Sequence, residues 1–369
     1  MVFPAGCIEG ERITIAAVGD LLFHKKLQVQ AYRPGATFAK FFQPLSGLLK
    51  AADLLYGNLE GPAARGVTAG GRAVRDPGRR LGCVYNAVLK ALSFNYHPSV
   101  IADLKTVGFD VISTANNHAL DRAGLGVTRT IEELDRQGLA FTGTRAKNDR
   151  SRPWHVVTRA RGFRVAWLAC TFSANGFSDR KGQLLYCYRD RDRVLAEIRK
   201  LAADSAIDAV MLTPHWGAEG SRRPVKRQRD LARDAIEAGA TAVIGTHPHT
   251  LQPWQQVVTR SGRTGLVVYS TGNFVSNQRH LLERAGIVVA LELVKPAQRQ
   301  GVPPGKARIA GAGFIPTWVE IDGRGHRVVP GPERGWPGQA LKATMRLLPA
   351  GNRVKAQWPP RLPLNCPDR

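Results

Sequence analysis

Five short polar motifs in this chain each follow directly on a short apolar run. They are Gly19-Asp20, Gly57-Asn58-Leu59-Glu60, Asn116-Asn117-His118, His215-Trp216-Gly217 and His247-Pro248-His249. The runs before them, residues 13–18, 54–56, 111–114, 209–213 and 242–244, have the length and composition of buried strands. Helical patterns lie between them. Val127, Ile131 and Leu134 recur at i, i+4 and i+7, and Gly138 is a stop signal. Residues 99–106, 194–201 and 227–238 read as helices, and 38–49 as one more. Such alternation predicts an α/β fold, and α/β proteins bind ligands beyond the carboxyl ends of their strands. The five motifs therefore belong to one rim.

The other segments predict simpler roles. Residues 61–82, rich in Gly and Arg, read as a long surface loop. Residues 287–294, 309–314 and 318–321 read as strands without intervening helices, at the edge of a second sheet. The expected organisation is one domain over 12–330, with its motif core in 12–275 and added strands within 285–325. Residues 331–369 read as an irregular tail rich in Pro, Gly and Arg.

Charge narrows the partners less than its size suggests. Lys and Arg number 53 against 29 acidic residues, a net charge of +24, which attracts polyanions. The basic residues are scattered, however, and an Arg-rich, Ala- and Gly-rich chain is equally what a GC-rich genome yields. No zinc-finger or RRM-type nucleic-acid module is recognisable, and no apolar run of transmembrane length is present. Residues 1–10 have neither a basic n-region nor an apolar h-region. Ala5-Gly6-Cys7 has the form of a lipoprotein processing site, but Pro4 stands where Leu is expected. The five cysteines have no metal-site spacing. Cys170 and Cys187 read as two unpaired buried thiols in preference to a disulfide.

The motif residues suit divalent-metal chemistry. Asp20 projects from a strand end, where its alternative role is a turn residue. Glu60 has oxygens enough to bridge two cations, and Asn58 is the competing polar group there. Asn117 offers a neutral carbonyl oxygen. His118 can protonate a leaving oxygen. Asp121 either orients that imidazole or caps the next helix. His215 ends a buried-type strand; Trp216 is a candidate pocket wall, and Glu219 and His24 are candidate substrate contacts. His247 and His249 form the strongest single signal, since two imidazoles one residue apart can ligate one or two metals from a turn.

Taken together, Gly19-Asp20, Asn58-Leu59-Glu60, the run 115–121, His215-Trp216-Gly217, the run 245–249 and Tyr269-Ser270-Thr271-Gly272-Asn273-Phe274 resemble the capsule-synthesis CapA family of the poly-γ-glutamate type. That family is similar in turn to calcineurin-like metallophosphoesterases. The resemblance implies a four-layer α/β sandwich with one or two divalent ions (Mn, Fe, Zn or Mg) at one edge of its two sheets. It implies Asp20, Glu60, Asn117, His215, His247 and His249 as ligands and His118 as acid; beside these, the residues themselves offer Asp121 as a catalytic partner of His118, and His24, Asn58, Trp216, Glu219 and Asn273 as candidate substrate contacts. Three positions depart from the phosphoesterase pattern. Asp20-Leu21-Leu22 stands for Asp-x-His, Glu60 for the bridging Asp, and Asn116 for the Gly of the Gly-Asn-His motif.

The expected function is a metal-dependent hydrolase acting on an anionic polymer such as poly-γ-glutamate, or on a phosphoester, alongside capsule-synthesis machinery. The alternatives are a non-catalytic polymer-binding or export component with a degenerate metal site, and a phosphodiesterase. The resemblance implies the cell envelope or periplasm; the lack of a visible signal peptide leaves the cytoplasm as the alternative.

Overall fold

The computed structural model describes residues 1–88, 93–147, 149, 151–297, 305–360 and 362. The first half contains β1 (Gly10–Leu21), α1 (Lys25–Ala31), α2 (Ser46–Lys50), β2 (Leu54–Leu59), β3 (Asn86–Val88) and β4 (Ser93–Asn95). It continues with α3 (Ser99–Val107), β5 (Val111–Ser113), α4 (Ala123–Gln137), β6 (Ala140–Thr142), β7 (His155–Ala160) and β8 (Phe163–Thr171). Then come α5 (Arg191–Ala203), β9 (Ala209–His215), α6 (Lys226–Ala238), β10 (Ala242–Ile244), β11 (Trp254–Val258), β12 (Thr264–Val268) and β13 (Asn273–Val275). The last elements are β14 (Ala285–Pro296), β15 (Arg308–Asp322), β16 (Gly325–Pro330) and α7 (Gly335–Met345).

Two mixed sheets organise the molecule. The first runs β16-β15-β14-β1-β2-β5-β6, with β13 added beside β1; the second runs β11-β12-β10-β9-β8-β7. In each, the strands carrying the motifs lie within a parallel run: β1, β2, β5 and β6 in the first, β8, β9, β10 and β12 in the second. Period-2 alternation on these strands supplies three cores. Ile13, Ile15, Tyr56 and Val111 of the first sheet meet Val165, Trp167, Met211 and Ile244 of the second between the sheets. Val18, Leu55 and Ile112 point outward to Phe41, Leu104, Ile131 and Leu134 of the flanking helical segments. Leu168, Leu212 and Val243 point outward on the other side, to Ile198, Leu231 and Ile236 of α5 and α6. The chain is thus a mixed α/β protein with helices on both outer faces. Among the described residues, no helix is long and apolar enough to cross a membrane.

Several expectations are corrected. Residues 38–49 do not form one helix: Phe38–Leu45 is a 3-10 segment containing Pro44, and α2 follows it. The missing Pro44 N–H removes a bond that a continuous helix needs. The late strands are not the edge of a second sheet. β14 pairs antiparallel with β1 from Gly10↔Pro296 to Ala17↔Val289, so β14, β15 and β16 extend the first sheet. The segments 309–314 and 318–321 are one strand, β15, because Pro316 lies where β16 has ended and no donor is required of it. The segment 331–369 is not wholly irregular. It contains α7, whose Leu341 and Met345 join the core between the sheets; its residues 361 and 363–369 lie outside the described residues. Cys170 and Cys187 are joined in a disulfide, not free thiols. Residues 61–82 carry no helix or strand, as expected, although Ala63, Ala64 and Val67 are buried.

Candidate metal centre

The carboxyl ends of β1, β2, β5, β9 and β10 bring Asp20, Glu60, Asn117, His118, His215, His247 and His249 to one edge, and all seven are buried. Local backbone features aim them. The β1–β2 register shifts between Ala17 and Asp20, and a bulge of this kind re-aims a side chain. Gly19 is required there because a Cβ would meet the Gly272 carbonyl oxygen at 1.8 Å. His247 and His249 have φ of 98° and 57°, in the left-handed region that non-glycine residues rarely occupy. Strain of this kind persists where the surroundings fix it, typically at functional sites.

Two groups of donors form around Glu60. Asp20, Glu60 and His249 are one set whose ligand atoms lie close enough to share an ion; Glu60, His215 and His247 are the second. Glu60 belongs to both, as a bridging carboxylate must. A third set joins the exposed Glu219 to His247 and His249. Asn117 adds its carbonyl oxygen, 2.8 Å from His215 Nε2. His247 Nδ1 is 3.2 Å from the same His215 nitrogen, and Glu60 Oε1 is 3.8 Å from it.

Neighbouring groups hold the outer nitrogens. His249 Nδ1 lies 3.0 Å from Asn273 Oδ1 and 3.2 Å from Asp20 Oδ2, so its N–H has acceptors and Nε2 faces Glu60 at 3.7 Å. His215 Nδ1 is 3.0 Å from Thr246 Oγ1. Asn58 Nδ2 lies 3.2 Å from the same nitrogen; metal binding at Nε2 would require Nδ1 to carry the proton and donate to Thr246, which leaves the Nε2 lone pair toward the cluster. Fixing the tautomer through the other ring nitrogen is the usual support for a metal-binding imidazole. Asn58 donates to Asp20 Oδ1 at 2.8 Å, and His247 N donates to Asp20 Oδ2 at 3.2 Å.

The electrostatics call for positive charge. Both Glu60 carboxylate oxygens are buried with no hydrogen-bond partner. Burial first, and then the Asp20 charge, push Glu60 well above the usual carboxylate range. Burial and the other imidazoles hold His215 well below its ordinary value, and His247 at about 3. Burial alone would lower His249, but Glu60 and Asp20 outweigh it and raise it to about 10. His215 and His247, held as bare imidazoles beside a carboxylate without hydrogen-bond partners, suit a divalent cation, which would displace the proton held by His249; the residues present fit one or two such ions.

The remaining sequence candidates divide. His118 Nδ1 is 2.8 Å from Asp121 Oδ2, which also accepts from Phe94 N at 2.6 Å. Asp121 therefore orients the imidazole. It does not cap α4, whose N-cap is Arg122 with no side-chain cap bond. Trp216 is corrected: it is fully buried in the outer core with α5 and α6, donates to the Tyr269 carbonyl oxygen at 3.0 Å, and walls no substrate pocket. Asn58 and Asn273 are fully buried and bonded to the ligand candidates rather than open to substrate. His24 is half-buried, accepts from Asn277 N at 3.2 Å and belongs to no ligand set. Leu22 lies in the core, so β1 supplies no second ligand there. Sequence reasoning missed Thr246, Phe172 and Asn175. Phe172 packs on His247 at 4.4 Å between ring centroids, and Asn175 accepts from Asn117 Nδ2 at 3.2 Å. Thr246 was signalled by its place directly before His247; the two loop residues had no signal.

Comparisons agree with this arrangement of motifs. The family described as "Bacterial capsule synthesis protein PGA_cap" matches residues 14–278. The capsule biosynthesis protein CapA of Bacillus anthracis is 28% identical over 283 residues, covering 75% of this chain and 63% of that protein. The PGA biosynthesis protein CapA of Bacillus subtilis is 27% identical over 284 residues, covering 77% and 68%. The chain thus spans less than two thirds of the first relative and little more of the second. Among solved structures, the NAD nucleotidase of Haemophilus influenzae aligns with a TM-score of 0.48 and 11% identity over 92% of this chain and 64% of that one. A 5'-nucleotidase-type structure from Staphylococcus aureus aligns with a TM-score of 0.46 and 11% identity over 90% and 58%. By the match across 14–278, which contains every ligand candidate, the chain belongs to the bacterial capsule synthesis PGA_cap family.

Proposed function

We propose that the chain is a metal-dependent hydrolase of an anionic polymer in capsule or poly-γ-glutamate synthesis, built as a four-layer α/β sandwich of metallophosphoesterase type. The observation that carries this reading is Glu60, buried, without a hydrogen-bond partner and common to two donor sets. Asp20, Glu60 and His249 would hold one divalent ion, and Glu60, Asn117, His215 and His247 a second. A centre of this type supplies an activated water and polarises the scissile group. The chain's own residues do the rest. Asp121 and the edge of the Phe94 ring fix His118, leaving its Nε2 to deliver a proton to the leaving group. Net charge of +24 concentrates a polyanion at the surface. The names of the two Bacillus relatives favour a capsular polymer over a phosphoester. The Cys170–Cys187 disulfide favours an oxidising compartment, hence the cell envelope.

One observation favours a second reading. Leu22 occupies the place of the Asp-x-His histidine, so the Asp20 side of the centre has fewer donors than its phosphoesterase counterpart. A non-catalytic polymer-binding component would tolerate that loss. Metal content of the purified protein, followed by hydrolysis of poly-γ-glutamate and of a phosphodiester, separates the two. Bound metal with turnover that His118→Ala lowers by roughly 10²–10⁴ supports the hydrolase. Bound polymer with no turnover and no metal supports the accessory role.

A further inference from the structure

A second polar cavity, of about 580 Å³, opens on the same edge and takes no part in the metal centre. Arg145, from the segment after β6, lines it together with Lys181, from the loop after β8, Arg193 in the first turn of α5, and Trp154 just before β7. β6 is the neighbour of β5, which leads into Asn117 and His118, and β8 is the neighbour of β9, which ends at His215. The cavity is therefore one or two strand spacings from the ligand candidates, roughly 10 Å along the edge.

Its walls are fixed. Arg145 Cζ lies 3.9 Å over the Trp154 ring, and its Nε is buried with no hydrogen-bond partner. Gln183, fully buried, binds the Arg145 and Gly124 carbonyl oxygens through Nε2, while Arg145 N donates to the Gln183 carbonyl oxygen at 2.8 Å. The two carboxylates present are engaged elsewhere: Asp149 with Ser151 and Arg152, Glu197 with His155 at 3.5 Å. Among the described residues, Lys181 and Arg193 form no hydrogen bond or ion pair. The loop closed by Cys170–Cys187 runs from one site to the other, with Phe172 on His247, Asn175 on Asn117 and Lys181 at the cavity.

We propose that this cavity is a second anion subsite, holding a carboxylate of an extended polycarboxylate while another segment of the same polymer lies at the metal centre. Arg145 provides a planar, aromatic-backed donor fork, and Lys181 and Arg193 provide uncommitted cationic heads. The subsite rests on the polymer reading above and gives it a mode of grip that the metal ligands alone do not.

The test is binding of poly-γ-glutamate of about ten residues to the full chain, with metal uptake recorded in parallel. Lys181 and Arg193 are exposed, so Lys181→Glu with Arg193→Glu leaves the core and the metal ligands in place. The expected result is about tenfold weaker polymer binding with a shallower salt dependence and unchanged metal uptake. Lys181→Arg with Arg193→Lys keeps wild-type affinity. Equal binding by wild type and the charge-reversed variant overturns the subsite while leaving the polymer reading standing. Failure of the wild type to bind the polymer, or preference for single-stranded RNA of equal length, overturns both.

Discussion

Glu60 is the residue on which the site turns. Its oxygens lie buried beside Asp20 with no donor to satisfy them, so the metal-free protein bears a desolvation cost that a cation removes. Glu60→Gln should abolish most of the Tm gain that Mn²⁺ or Zn²⁺ gives the wild type. An undiminished gain would contradict the assignment. The ligand candidates stood out in the sequence because each belongs to a short polar motif that follows an apolar run. Their supports were not: Asn58 and Asn273 read as substrate contacts, and only three-dimensional proximity assigns them to Asp20 and His249. Trp216 misled for a related reason. Strand-end residues alternate faces, and its ring falls on the helix side of the sheet while His215 falls on the site side.

At the scale of elements, the parallel strands and the helices with a clear 3.6-residue stripe were readable; Gly138 ends α4 in the left-handed conformation its stop signal predicts, and Gly108 and Gly239 end α3 and α6 in the same way. The placement of β14, β15 and β16 was not, because strand composition says nothing about which neighbour a strand selects. The loop between Cys170 and Cys187 was equally silent, although it touches both the metal centre and the basic cavity. Replacing both cysteines by Ser should cost about 3 kcal/mol, the chain-entropy value for a loop of this length. It should also weaken polymer binding more than metal binding, because the ligand candidates stand at strand ends and take only the side contacts of Phe172 and Asn175 from this loop. Urea unfolding beside metal and polymer titrations checks both; an equal loss in the two titrations would contradict the division of labour.

For the whole molecule, two imidazoles away from the ligand sets make stability depend on pH. Burial lowers His97 and His326 from 6.5 to about 4. Between those values the unfolded chain binds the extra protons, so the contribution is complete above about pH 6.5 and is lost as the pH falls toward 4. His97→Gln should therefore show a flatter fall in Tm from pH 7 to pH 4, in EDTA, than the wild type does. The fold brings the strand ends of both sheets within reach of one carboxylate, Glu60, and a metal held there can be observed directly. Anomalous diffraction from crystals grown with Mn²⁺ or Zn²⁺ should place one or two ions about 2.0–2.3 Å from the Glu60 carboxylate, between Asp20 and His249 on one side and His215 and His247 on the other. Saturating metal with no anomalous peak at Glu60 would contradict the metal centre and the hydrolase with it.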